Sequence, residues 1–555
     1  MQCILPFPTA GSHGNGTGWP LFSTADTRRL EHELAAALPP HTLMQRAGLA
    51  VARLAMALAP HARTVWIACG PGNNGGDGLE AAARLARLLP FARIMVSCTA
   101  ARDAMPADAQ ASWDRARQAR VQWVDGRPEG MDGQDLCIDA LLGIGLRAGG
   151  HGKGASTAPC ARLMALLRQT QAGSSPVLCI DVASGLDAET GQYAAGMVPE
   201  LSAGALCMPR HTLSLLTLQP GLFTGQGRDA CGQIWWDDLG AGLCNDDGEK
   251  IPALPEPPQP MAWLGSAPNP QAMAGRHASH KGSFGDVAVV GGEGLAQRGL
   301  SMTGAAWLAA LAALHGGAGR VMLALLDTSP PQGTAPWPEI MLRQPQSQDW
   351  KQATVVCGCG GGLAVRKWLP AILEQAPRLV LDADGLNAVA ADASLQQLLA
   401  RRASRRLGTV LTPHPLEAAR LLQTGTPQVQ ASRIQAAARL AEQLQCTVVL
   451  KGSGSVIACP ASFALDARAC WVNPTGNARL ATGGTGDVLA GLLGATWARM
   501  AAQGAASPAQ PSLRLGTQAA LEAVYRHGQA ADLWPPSLPF SAGALARHFG
   551  ACRAA

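Results

Sequence analysis

The chain has 555 residues, a formal net charge of +5, 47% apolar and 15% charged residues. That length exceeds one core and suggests roughly three domains, or two large α/β domains, in a globular rather than disordered chain. The positive charge is spread along the chain with no basic block, which excludes a nucleic-acid-binding surface of the usual kind.

Residues 1–22 contain no Lys or Arg and no continuous apolar run, so they do not form a signal peptide, and 1–20 read as a loose Gly/Pro-rich tail. The first helix is expected near Ser23, where "STADTRRLEHELAAAL" offers a Ser/Thr cap with Asp26 three residues on. A second helical stretch, "HTLMQRAGLAVARLAMAL", leads to "RTVWIACG", a buried strand closed by Gly. The loop "GPGNNGGDG" follows, with a helix predicted from Leu79. "ARIMVSC", "DLCIDALLG" and "SPVLCIDVASG" each end an apolar run at polar or Gly residues. Strands alternating with helices predict a parallel sheet covered on both faces, with ligand chemistry at the strands' carboxyl ends.

Residues 241–275 are dense in Pro and polar residues and are taken as a linker between a domain at 21–240 and one at 276–555. From His280 the alternation restarts: "DVAVVGGEG", the Ala-rich "GAAWLAALAALHGGAG", "RVMLALL", "ATVVCGCGGG", "RLVLDADGLN", "GTVLTPHPLEAARLL" and "CTVVLKGSGSVIA". The most apolar helix, from Ala305 to Leu314, is about half the length a membrane span needs. Fifteen cysteines show no paired short spacings, and the one C-x-C, Cys357 and Cys359, has no second pair to complete a zinc site. They read as small apolar side chains in a reducing compartment, so the cytoplasm is expected.

In the N-terminal half, Asn73, Asn74 and Asp77 share a loop with Gly72, Gly75, Gly76 and Gly78. Glycines there allow positive φ and close backbone approach to a ligand, and the following helix adds the positive end of its dipole. Alone, the loop fits a ligand cradle or a tight strand–helix turn equally well. Asp139 and Asp181, each at a strand end, and Ser184 three residues after Asp181, shift the balance. Carboxylates and an Asn converging on one sheet edge suit a cation or proton transfer. The ordered set "NNGGDG", "DALLGIG", "DVASGLD" and "LQPGLFTGQGRDACGQI" resembles the epimerase domain of the NAD(P)H-hydrate repair enzymes, the YjeF N-terminal family, over about residues 20–240. The resemblance implies a Rossmann-like three-layer α/β/α domain. It also implies a potassium ion on Asn74, Asp139 and Ser184. Substrate would be held by Asn73, Asn74, Gly75, Gly76, Asp77 and Asp181 and by Gly143, Ile144, Gly145, Leu146, Arg147, Ala148 and Gly149. Asp181 is the expected acid/base group at the C6 hydroxyl. Ala183 stands where the family usually has Pro, and Gln219 where it has Lys, a lost charge expected to weaken phosphate binding.

In the C-terminal half, "GGTGD" at 483–487 opens the helical "VLAGLLGA". Successive backbone N–H groups there form an anion hole, and an Asp at the helix start reaches a reacting hydroxyl. With "HKGSFGDVAVVGG", "GCGGG", "DADGLN", "TPHPLEAARLL" and "KGSGSVIA" in this order, the segment resembles the ribokinase-like NAD(P)H-hydrate dehydratase domain over about residues 276–550. Two of the chain's six lysines, Lys281 and Lys451, lie in these motifs. By resemblance, Ala305, Gly360, His414 and Asp487 contact the hydrate. Lys451, Gly452, Ser453, Gly454 and Ser455, with Gly486, hold the adenine nucleotide, and Asp384 and Asn387 line the region of a Mg2+ on its phosphates. A capping role for His414 stays open. Cys359 and Gly361 depart from the family's G-P-G-L-G, and Gly385 from its usual Ala.

Together these imply a bifunctional metabolite-repair enzyme acting on the hydrates of NADH and NADPH (NADHX and NADPHX). One half would epimerise R and S forms, and the other would dehydrate the S form with cleavage of ADP. A homo-oligomer is expected; no nucleic acid or membrane is. The competing reading is a ribokinase-like vitamin or sugar kinase with a non-catalytic N-terminal binding module.

Overall fold

The computed structural model describes residues 1–4, 18–147, 158–168, 175–199, 209–242, 259–268, 277–327, 336–504 and 512–549. The chain divides into two units, one ending at Met261 and the other beginning at Ala262.

The N-terminal unit is built on β1 (Gln2–Ile4), β2 (Thr64–Cys69), β3 (Arg93–Cys98), β4 (Gln122–Trp123), β5 (Leu136–Ala140), β6 (Val177–Ile180), β7 (Arg210–Leu215) and β8 (Gln233–Asp237). They form one sheet in the order β1-β8-β7-β6-β5-β2-β3-β4, parallel except where β1 runs antiparallel to β8. Every residue of β2, β5 and β6 is buried, as central strands covered on both faces require. Val65, Ile67, Leu79, Val96, Ile138 and Leu178 lie at the heart of the core. The chain reverses direction in the sheet between β2 and β5, so a crevice opens at their carboxyl ends.

Three expectations change here. The expected loose tail contributes β1, with Gln2 opposite Trp236 and Ile4 opposite Ile234. Ser23 does cap the helix Thr24–Ala37, accepting from Asp26 N at 3.0 Å. The helix after β2 begins at Asn73 rather than near Leu79. Gly75, Gly76 and Gly78 therefore sit inside a helix, and none has positive φ. Close packing accounts for them: a Cβ on Gly75 would lie 2.0 Å from the Gly70 carbonyl oxygen. Burial of the turn from Asn74 to Gly78 offsets the poor helix propensity of Gly.

The C-terminal unit contains β9 (Ala262–Leu264), β10 (Asp286–Gly291), β11 (Arg320–Leu325), β12 (Ile340–Arg343), β13 (Thr354–Cys357), β14 (Arg378–Leu381), β15 (Gly408–Leu411), β16 (Thr447–Leu450), β17 (Val456–Ala458) and β18 (Cys470–Val472). Their order is β12-β11-β10-β13-β14-β15-β16-β17-β18-β9. Only β17 runs antiparallel to its neighbours. β9 lies inside the segment expected to be a linker, and pairs with β18 through Trp263 and Trp471. The helices Thr303–Gly316 and Thr485–Ala502 cover the sheet, burying Ala309, Ala310, Ala313, Leu492 and Leu493 against Val287, Val289 and Val356. Their shared stripe of small residues permits close backbone approach; a Cβ on Gly491 would fall 2.0 Å from the Ala309 oxygen. No helix among the described residues is long and apolar enough to cross a membrane.

Candidate functional site

The crevice between β2 and β5 holds a cavity of about 690 Å³, within the size class of small-molecule and cofactor sites. Asn73, Asn74 and Asp77 reach it from the first turns of the helix Asn73–Leu88, and Gly143, Ile144, Gly145 and Leu146 from the loop after β5. Asp181 enters from the end of β6. Asn74 and Asp181 flank Gly143: a Cβ there would sit 3.2 Å from Asn74 Cβ and 3.1 Å from Asp181 Oδ2. The cavity thus gathers most of the side chains the sequence pointed to. Gly75 and Gly76 do not line it and serve packing instead. Ala148 and Gly149 lie outside the described residues.

Beside this cavity Asp139 and Ser184 form one unit. The Ser184 hydroxyl donates to Asp139 Oδ1 at 2.6 Å, the Ser184 N–H donates to Oδ2 at 3.0 Å, and the Leu142 N–H donates to the Ser184 oxygen at 2.9 Å. Both amide atoms of Asn74 are buried without a hydrogen-bond partner. A buried primary amide with neither end satisfied costs roughly 1–3 kcal/mol per group unless a ligand or ion meets it.

The carboxyl groups of the cavity repel one another and are poorly hydrated. Burial lifts Asp181 from the ordinary 3.8 to about 7, with the nearby Glu31 adding to the effect. Burial, then the charges of Asp181 and Glu31, raise Asp77 well above the usual carboxylate range. Asp181 also has φ +64, a left-handed conformation held by its N–H donating to the Leu213 oxygen at 2.8 Å. Near neutral pH the cavity therefore offers Asp181 poised between acid and base, beside an Asp77 whose surroundings favour its protonated form. Glu31, Asp108 and Arg28 also line it. No local feature of the chain marks these three, which come from other helices and meet the site only on folding.

Two further positions do not line the cavity. Gln219 does not line the cavity; it is buried, its amide nitrogen donating to Thr217 O at 3.1 Å and Thr217 Oγ1 at 2.9 Å. A charge at that position is not what a phosphate in this cavity would meet. Arg147 is committed elsewhere, to Glu189 Oε2 at 2.9 Å and Thr24 Oγ1 at 2.9 Å.

In the C-terminal unit a second cluster stands at the carboxyl ends of β13, β14 and β16. Cys359, Asp382 and Asp487 bring the thiol sulfur and a carboxylate oxygen from each Asp within 4.8 Å of one another. Lys451 Nζ bonds Asp382 Oδ1 at 2.7 Å and lies 3.4 Å from where a Cβ on Gly486 would stand. Asp487 occupies the first turn of Thr485–Ala502, whose unpaired N–H groups face this cluster's end of the sheet. Burial, reinforced by Asp382, lifts Asp487 to about 6, while a hydrogen bond from the Cys359 thiol works the other way. Burial disfavours the charged Lys451, but Asp382 and Glu417 more than compensate and keep it protonated. The arrangement pairs a near-neutral base with a fixed ammonium at a helix N-terminus, the parts phosphoryl transfer needs.

Gly360 packs beside Ala305: a Cβ on Gly360 would come 2.9 Å from that of Ala305. Gly452 and Ser455 form one turn, the Ser455 hydroxyl donating to the Gly452 oxygen at 3.1 Å, with Gly454 (φ +61) between them beside Ser453. His414 caps the helix Pro415–Leu422, Nδ1 accepting from Leu416 N at 3.2 Å while Nε2 lies 3.2 Å from Glu417 Oε1. Asp384 accepts from Gly362 N at 2.8 Å, and Asn387 accepts from Arg420 at 2.6 Å. Asp382 was not among the expected site residues; its signal in the sequence is its place as the first polar residue after the apolar run Leu379 to Leu381.

Comparisons with known proteins fall in the same two units. A family model described as YjeF-related protein N-terminus matches residues 40–221, and one described as NAD(P)H-hydrate dehydratase matches residues 289–544. The chain is 32% identical over 490 residues to a bifunctional NAD(P)H-hydrate repair enzyme of Escherichia coli, covering 85% of this chain and 83% of that one. A protein of the same description from Coxiella burnetii is 32% identical over 531 residues, 93% of this chain and 98% of its own. An ADP-dependent (S)-NAD(P)H-hydrate dehydratase of Neisseria meningitidis is 41% identical over 275 residues, 48% of this chain and 83% of its own. With this identity running through both units, the chain belongs to the family of bifunctional NAD(P)H-hydrate repair enzymes, an epimerase-type unit joined to a dehydratase-type unit.

Proposed function

We propose that the N-terminal unit interconverts the R and S hydrates of NADH and NADPH, and that the C-terminal unit dehydrates the S form with cleavage of ADP to AMP and phosphate. The observation that carries this reading is one half-buried carboxyl per unit, set at the carboxyl edge of its sheet among other acidic groups and lifted toward neutrality: Asp181 to about 7 and Asp487 to about 6.

In the first site, protonated Asp181 donates to the C6 hydroxyl as the ring nitrogen lone pair expels it as water. The resulting carboxylate takes a proton from water returning to the opposite face, which inverts C6 and restores the acid. Burial and the neighbouring acidic groups favour protonated Asp77, a form that can donate a hydrogen bond to the ligand. The oxygens of Asn74, Asp139 and Ser184 are hard donors of the kind an alkali cation prefers, and the unsatisfied Asn74 amide fits such an ion. A potassium ion held by these three would offset the carboxylates that line the cavity.

In the second site, Asp487 deprotonates the C6 hydroxyl, which attacks the terminal phosphoryl group of ADP and releases AMP; the ring nitrogen lone pair then expels phosphate from C6, and loss of a C5 proton forms the C5–C6 double bond. Lys451 offers its positive charge to the nucleotide phosphates beside the N–H groups of Gly486 and its neighbours. The turn from Gly452 to Ser455 holds the nucleotide. Asp384 would line the approach of a magnesium ion carried by those phosphates.

The test is recovery of reduced-nicotinamide absorbance from synthetic S hydrate. ADP should support it. A stable phosphorylated product without reduced nicotinamide would mark a kinase and end this reading.

A further inference from the structure

A cation on Asn74, Asp139 and Ser184 would offset the carboxyl groups of the N-terminal cavity, but it leaves open which residue meets the phosphates of the ligand. Glu31, Asp77, Asp108 and Asp181 line the cavity, whereas its ligand, on the reading proposed above, is a polyanionic dinucleotide. Neither position 219, where the resemblance led one to expect a Lys, nor Arg147, among the expected substrate residues, offers the cavity a free cation. Gln219 is buried in its own hydrogen bonds, and Arg147 is tied to Glu189 and Thr24.

Among the described lining residues one cation remains, Arg28. It projects from the second turn of the helix Thr24–Ala37, is exposed, and has no hydrogen bond or ion pair among the described residues. Its guanidinium lies over the loop that follows β5: a Cβ on Gly145 would stand 3.0 Å from Arg28 Nη2. Glycine at 145 is thus what lets the guanidinium approach backbone there. The helix Asn73–Leu88 presents its first turn to the same cavity, and within that turn the Asn74 amide is buried and unsatisfied. A guanidinium fork and the first turn of a helix lining one cavity give phosphate oxygens both a charge-assisted partner and backbone N–H donors.

We infer that Arg28 is the phosphate-anchoring residue of the N-terminal site, acting on binding rather than on the chemical step. The inference rests on the epimerase reading. Either the diphosphate bridge or the 2′-phosphate would supply the phosphate oxygens.

The test uses the full-length protein and the R hydrates of NADH and NADPH, with the epimers separated chromatographically. In R28A, KM should rise about tenfold or more, as loss of a charge-assisted bond predicts, with kcat held within about twofold. R28K should recover part of the loss. A rise for both substrates assigns Arg28 to the diphosphate, and a rise for the NADPH hydrate alone assigns it to the 2′-phosphate. Added salt should raise the KM of the wild type more than that of R28A. Unchanged KM for both substrates, or a fall in kcat at unchanged KM, overturns the inference. A wild type that epimerises neither substrate overturns the reading beneath it instead, and unchanged thermal unfolding of R28A excludes misfolding as the cause.

Discussion

Replacing Asp181 by Asn separates the two consequences of burying this carboxyl group. In the folded protein its pKa is about 7, against an ordinary 3.8. The proton is therefore held more tightly when folded, so the favourable contribution is complete below about pH 4 and is lost as pH rises through 7. By linkage at ~1.4 kcal/mol per pH unit, ionising Asp181 costs the wild type about 4 kcal/mol at pH 8 and under about 2 kcal/mol at pH 5. Asn has nearly the same shape, tolerates φ +64, and never ionises. D181N should therefore be more stable than the wild type at pH 8, with its N-terminal unit melting roughly 10 °C higher as an upper bound. The gain should shrink by more than half at pH 5, and epimerisation should be abolished at both. Calorimetry of the full chain across that pH range measures it. A variant no more stable than the wild type at pH 8, or a gain independent of pH, would show Asp181 to be an ordinary ionised carboxylate and remove the acid/base role built on it.

The C-terminal unit makes its own predictions. Because Asp487 must be ionised to act as base, dehydration should fall as pH drops through about 6, and D487N should abolish it while leaving epimerisation intact. C359A removes the thiol hydrogen bond that favours ionised Asp487, so the acid limb of that pH–rate profile should move to higher pH; an unmoved limb would show that the thiol does not tune the base. K451M strands Asp382, whose side chain is 2% exposed. It should destabilise the C-terminal unit by about 3 kcal/mol, the low end for a broken buried pair because Lys451 is itself partly open to solvent. K451M/D382N should regain most of that stability without regaining activity, as measured by urea unfolding.

The strand ends were legible because a fully buried strand is a short apolar run, and its carboxyl end is marked where the run meets Gly or Asp. "TVWIAC", "LCIDA" and "VLCI" are such cases. Asp139, Asp181 and Asp487 follow from that rule and from the order of the motifs. The start of the helix at Asn73 was not legible, since three glycines in six residues read as a loop until the packing of Gly75 on Gly70 is seen. β9 was hidden in Pro-rich surroundings because a three-residue strand leaves no periodicity to count. Arg28, Glu31 and Asp108 look like the polar faces of ordinary helices, and only the tertiary fold turns them toward the cavity. Gln219 shows the converse: a motif position conspicuous in sequence whose side chain the fold directs into buried hydrogen bonds.

The central claim is that each unit performs one step of a repair sequence on the same molecule. An equimolar mixture of R and S hydrate, supplied with ADP and full-length protein, measures it most directly. The wild type should return the whole mixture to reduced nicotinamide. D181N should stop after the S form is consumed, with the R form intact, and D487N should regenerate none while still interconverting the two. Complete conversion by D181N, or R hydrate left unused by the wild type, would contradict the account.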